Sequence, residues 1–141
     1  MKRRQFLQSS VAAAVAGALP LRAMLASMGE VSGNVQAITG AGAEVTLEQA
    51  AVQELADSLR GQLLLPGQEG YEVARRVLNP SIDKHPALIV QPTGAADVAS
   101  AVSFAADNDL LVAVKCGGHS FSGKSTCDGG MQIDLSLMRG A

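Results

Sequence analysis

The chain has 141 residues, 48% of them apolar and 17% charged, with three Phe, one Tyr and no Trp, a length that holds one small domain. A net charge of −2 argues against the basic face of a nucleic-acid binder. No stretch reaches about 18 uninterrupted apolar residues, which excludes a multispan membrane protein, and two cysteines are too few for a disulfide-built scaffold.

The first element is an address. Lys2-Arg3-Arg4 precedes Phe6-Leu7 and an Ala-rich apolar run from Val11 to Leu21, the basic n-region and h-region of a secretory signal. Arg3-Arg4-Gln5-Phe6-Leu7 resembles the twin-arginine pattern R-R-x-F-L, with Lys2 where Ser or Thr is more usual. A Sec signal and an amphipathic helix are the alternatives. Val35-Gln36-Ala37 fits a small-residue cleavage site, so residues 1–37 are expected to be the signal. The expected partner is the twin-arginine export machinery, and the expected destination periplasmic or extracellular. Residues 1–37 carry four basic and one acidic side chain, the remainder seven and twelve. The mature part is therefore acidic, and the basic end belongs to targeting.

Residues 29–43 are small or polar and read as a flexible linker, so 38–58 are expected to hold linker and first helix. Thr46 is the expected N-cap, Leu47, Ala51, Leu55 and Leu59 the apolar face, and Gly61 the stop. Leu63-Leu64-Leu65 predicts a strand, ended by Pro66-Gly67. A short helix is expected over Tyr71–Leu78, with Val73, Ala74, Val77 and Leu78 on one side and Asn79-Pro80 ending it. Ala87–Val90 predicts a buried strand, and Ala95–Asn108 a helix repeating through Val98, Val102 and Ala105. Leu111–Val114 reads as a second buried strand and Met131–Leu135 as a third. The strand–helix–strand order fits a crossover between parallel strands in a small α+β domain.

The segment with the most chemistry is Lys115-Cys116-Gly117-Gly118-His119-Ser120-Phe121-Ser122-Gly123, which begins where a buried strand ends. Adjacent glycines permit positive φ and remove side-chain bulk, so successive N–H groups can converge on an anion. Ser120 and Ser122 could add hydroxyl donors, and Lys115 could offset phosphate charge. Gly118–Ser125 also matches G-x-x-x-x-G-K-[ST] letter for letter. A phosphate loop of that kind must open a helix at Lys124-Ser125, whereas Thr126-Cys127-Asp128-Gly129-Gly130 is turn chemistry. The dinucleotide fingerprint G-x-G-x-x-G is absent. Alone, a strand followed by Gly-Gly-His reads as a tight turn with a surface histidine.

Its surroundings carry a resemblance from about Leu59 to Arg139. Gly70-Tyr71, Ala74-Arg75-Arg76, Pro86-Ala87-Leu88-Ile89-Val90, Asp97-Val98, Val112-Ala113-Val114, Gly117-Gly118-His119-Ser120, Thr126-Cys127-Asp128-Gly129-Gly130 and Ile133-Asp134-Leu135-Ser136 follow one another in this order. In that order they resemble the berberine bridge enzyme-like FAD-linked oxidases of the vanillyl-alcohol oxidase superfamily. The resemblance implies that 59–141 is the N-terminal part of a PCMH-type FAD-binding domain, its first lobe. It implies that Lys115–Gly123 holds the FAD pyrophosphate and that His119 bonds the flavin 8α-methyl carbon. A neutral imidazole nitrogen is a suitable nucleophile, and the flavin then carries the redox chemistry. The implied reaction passes a hydride from an alcohol, sugar or similar small molecule to FAD, and electrons on to oxygen or another acceptor. The family's substrate domain and catalytic base would lie beyond Ala141, so the chain alone is expected to be inactive.

Cys116 stands where many relatives have Gly or Ser. Cys127 lies only eight residues after His119 and is not assigned the second flavin bond of bicovalent relatives. The two cysteines could pair or remain free thiols. His85 reads as a loop residue, Asp128 and Asp134 as structural, Arg75-Arg76 as a solvated helix face, and no metal site is expected. Two other readings stay open: a non-covalent FAD-binding reductase of the same fold, and a small secreted protein without enzymatic activity.

Overall fold

A computed structural model describes residues 30–139; the expected signal with Arg3-Arg4 lies, for residues 1–29, outside the described residues. Two strands, β1 (Val35–Ile38) and β2 (Glu44–Leu47), form an antiparallel hairpin. The helix α1 (Gln49–Ser58) leads to β3 (Gln62–Leu64) and the single turn α2 (Tyr71–Ala74). Then come β4 (Leu88–Gln91), the helix α3 (Ala95–Asp107), β5 (Val112–Lys115) and β6 (Met131–Asp134). A 3-10 turn, Leu135–Leu137, follows. The main sheet runs β3-β4-β6-β5, with β3 antiparallel to β4 and both β4 and β5 parallel to β6. This mixed α+β arrangement contains the expected crossover, and β6 occupies the space between its two strands.

Both faces of the sheet are covered. Val52 and Leu55 of α1 and Ala101 and Ala105 of α3 pack with Leu63, Leu88, Val90, Met131 and Ile133. Tyr71 and Ala74 of α2 close over Leu64 and Ile89 on the other side. A strand buried on two faces reads as an unbroken apolar run, which is why Leu88-Ile89-Val90 was legible as a strand.

The stretch expected to be a linker is structured. Ala37 is buried in β1, and Val31 donates its N–H to Gln53 Oε1 and accepts from Gln49 Nε2. Thr46 lies in β2, and the first N–H of α1, that of Gln49, is capped by Asn34 Oδ1 at 3.0 Å. A helix end capped by a distant side chain leaves no local signature.

The helix expected over Tyr71–Leu78 stops at Ala74. The last helical bond runs from Arg75 N–H to Tyr71 O; those that Arg76 and Val77 N–H would make to Glu72 and Val73 are not formed, and one further would carry Leu78 N–H to the Ala74 carbonyl. Instead that carbonyl accepts from Lys115 Nζ at 2.6 Å and Gln132 Nε2 at 2.9 Å, and Leu78 N–H donates to Gly118 O at 3.0 Å. Tertiary bonds thus replace the helical one, and Val73 and Leu78 are left 77% and 70% exposed. In α3 the buried stripe is Asp97, Ala101 and Ala105, with Val102 exposed. β5 is an outer strand rather than a fully buried one, and Val114 is 55% exposed. Arg75, expected to be solvated, is mostly buried and bonds Glu72 and Asp83.

Candidate functional site

The parallel strands β4, β5 and β6 end together, the edge at which open α/β sheets bind ligands. β5 ends at Lys115 and the chain turns into the glycine loop. Gly118 adopts φ +67°, and a Cβ there would lie 3.4 Å from Val77 Cα and 3.5 Å from Lys115 Cε. The loop therefore rests on Lys115 from one side and on the chain after α2 from the other. Leu78 N–H donates to Gly118 O, Asn79 Nδ2 to Phe121 O, and Gly123 abuts Ile82. Together, residues 77–82 form a wall along which the loop lies.

Among the described residues, the N–H groups of Gly117, Gly118, His119, Ser120, Phe121 and Ser122 donate to no protein acceptor. Consecutive free amides around a positive-φ glycine make a concavity for an anion, and a backbone without side chains at 117 and 118 admits close approach. These residues fit a diphosphate group. Ser120 Oγ is partly committed: it accepts from Lys124 N–H at 3.2 Å and lies 3.4 Å from Ser122 Oγ. Cys116 is an exposed thiol and Phe121 is 86% exposed.

His119 lines a cleft of about 260 Å³ with Ser120, Phe121, Leu78, Asn79 and Pro80. Its imidazole folds back over Gly117, where any Cβ would overlap the ring. Leu78, Asn79 and Pro80 are the functional candidates that sequence reading missed. Asn79-Pro80 reads as a helix stop, and its place beside a loop some forty residues later depends on tertiary bonds.

Lys115 does not stand with the other loop residues. Its ammonium is turned inward, onto the Ala74 carbonyl and 3.4 Å from Asp134 Oδ2. A cation so engaged backs the loop from beneath and does not face an anion above it. The 121–130 stretch is turns and bends without a helix, so the phosphate-loop match of Gly118–Ser125 lacks the element that it needs. Cys127 is buried and unpaired, and burial pushes its thiol up to about 11. Among the described residues no three His, Cys, Asp or Glu side chains gather as a metal site.

Residues 86–141 match the family model described as an FAD binding domain. The (R)-6-hydroxynicotine oxidase of Paenarthrobacter nicotinovorans is 36% identical over 81 residues, 57% of this chain and 18% of that protein. The BBE-like 1 structure of Physcomitrella patens superposes with a TM-score of 0.58 at 28% identity, over 64% of this chain and 20% of that one. The carbohydrate oxidase of Microdochium nivale gives a TM-score of 0.53 at 28% identity, over 60% and 18% of the two chains. The chain thus spans about a fifth of the length of the relatives it matches. Residues 86–141 thus match an FAD binding domain, and the chain is similar in sequence and fold to FAD-linked oxidases, among them a BBE-like structure.

Proposed function

We propose that this chain is the flavin-anchoring part of an exported FAD-dependent oxidoreductase. The carrying observation is the run of free amides from Gly117 to Ser122 with His119 beside them. In this reading the amides bind the FAD pyrophosphate, and Gly117 and Gly118 let it approach the backbone. When bound, FAD takes two electrons from a small organic substrate and passes them to dioxygen or another acceptor. The relatives' names, a hydroxynicotine oxidase and a carbohydrate oxidase, support a small alcohol, sugar or amine as substrate class.

His119 supplies the covalent link. His119 would offer an imidazole nitrogen to the 8α carbon, a bond whose formation releases one proton from each partner and two electrons that dioxygen would accept. A second reading keeps FAD without that bond. The close packing of the imidazole against Gly117 favours it. The Arg3-Arg4 pair supports export by the twin-arginine route, which suits a protein that must fold around its cofactor before crossing.

The test is the denatured mass of the protein recovered from the exported fraction of its own host, followed by peptide mapping. One FAD retained on the His119 peptide, and absent from His119→Ala, is the expected result. Flavin released on denaturation would leave the non-covalent reading, and no flavin at all would end both. Replacement of Arg3 and Arg4 by Lys should hold the protein in the cytoplasm.

A further inference from the structure

A single transverse row of polar side chains crosses all four strands where the parallel strands end. Gln62 of β3 pairs with Gln91 of β4, Lys115 of β5 with Asp134 of β6, and Gln91 Nε2 donates to Asp134 Oδ2 at 2.9 Å. Gln62 Nε2 donates to Gln91 Oε1 at 2.5 Å. Asp134 is 1% exposed and Lys115 8%. A buried ion pair is weak evidence of stability, because desolvation offsets most of the attraction. Its geometry is therefore the informative part. Lys115 Nζ reaches past Asp134 to the Ala74 carbonyl, the last of α2, which Gln132 also binds. The same side chain runs beneath Gly118. One lysine thus touches the end of α2, the central strand and the underside of the histidine loop.

We propose that the buried Lys115–Asp134 pair is the positioning device of that loop. With Gln132 it occupies Ala74 O, the acceptor that a continued helix would offer Leu78 N–H, and leaves that N–H to Gly118, which sets the wall 77–80 against the loop and fixes the depth of the cleft that His119 lines. Neither side chain touches the flavin in this arrangement. The inference rests on the proposed function for its consequence, flavin anchoring, and on the hydrogen bonds alone for its cause.

The experiment uses the protein as its host produces it, with Lys115→Met, Lys115→Arg, Asp134→Asn and the charge-free double variant Lys115→Met/Asp134→Leu. Two quantities are read: flavin surviving denaturation per folded molecule, and hydrogen exchange at the Leu78 amide. Lys115→Met and Asp134→Asn should each lower the first and raise the second at least tenfold. Lys115→Arg, which can still reach Ala74 O and Asp134, should stay within twofold of the parent on both. The double variant replaces the pair by apolar groups, so it should fold, if the singles do not, and still lose both. Parental flavin retention and Leu78 protection in Lys115→Met or in the double variant overturns the proposal, as does their loss in a folded Lys115→Arg. A parent protein without flavin refutes the functional reading instead, and Leu78 exchange then decides the pair on its own.

Discussion

Gly117 and Gly118 are adjacent and exist for different reasons. At Gly118 the backbone is left-handed and the site is closed by Val77 Cα and the Lys115 stem. A side chain there costs about 1–2 kcal/mol in conformation alone. Gly118→Ala should therefore lower the melting temperature and displace the loop, seen as loss of bound flavin in the absorbance spectrum. At Gly117 a Cβ meets only the far end of the His119 ring, which can rotate. Gly117→Ala should leave stability within about 0.5 kcal/mol while swinging His119 out of place. A changed fraction of flavin surviving denaturation, with an unchanged melt, is the expected outcome; equal losses in both would contradict it. The cysteines separate in the same way. With its thiol pushed up to about 11 by burial, Cys127 should resist alkylation at neutral pH, while exposed Cys116 is labelled, as peptide mapping will show.

At the scale of elements, Asp97 is the joint between α3 and the chain leaving α1. Its buried carboxylate accepts from Thr93 N–H and Oγ1 and from the N–H groups of Arg60 and Gly61, all within 3.2 Å. Those bonds, led by Thr93 N–H and then Arg60 N–H, hold its carboxyl below the usual 3.8. A carboxyl depressed on folding stabilises the fold above its unfolded value and loses that contribution as pH falls through its folded value. Asp97→Asn should cost about 2 kcal/mol at pH 7, and urea melts of parent and variant should converge as pH falls below the usual carboxylate range. A gap that persists in acid would point to packing instead.

Asp97 also shows what sequence could reveal and what it could not. The helix it begins was legible from the repeat of Val98, Val102 and Ala105, yet that pattern puts Val98 and Val102 inward where the structure buries Asp97, Ala101 and Ala105. A carboxylate that caps two loops outranks a valine for the inner face. β1 was illegible because Ser32-Gly33-Asn34 and Gly40-Ala41-Gly42 flank it with turn residues, and its partner is a hairpin strand with one buried side chain, Leu47. The glycine loop was legible because it is contiguous. The wall opposite it was not, because Ala74, Leu78 and Asn79 reach it through bonds to residues about forty positions away.

At the scale of the whole molecule, packed residues lie upstream of the expected cleavage site. Ala37 is a buried, paired residue of β1, and Val31 is fastened to α1 at both its N–H and its carbonyl. A peptidase acting on the folded protein finds Val35-Gln36-Ala37 already paired with β2. N-terminal sequencing of the exported form should therefore give a start at or before Val31; a start at Ile38 would mean that the hairpin is dispensable.

The strand order carries a consequence for synthesis. Among the described residues, β6 is the latest strand of the sheet to leave the ribosome, and it lies between β4 and β5, which are made before it. Until Ile133 emerges, β4 and β5 have no parallel neighbour to bond, and Leu88, Val90 and Ala113 wait without the strand that completes their core. Pairing over such separations is slow. The nascent chain must keep those apolar edges apart from other chains for the time it takes to translate the glycine loop, so the length of that loop also sets the delay before β6 can join β4 and β5.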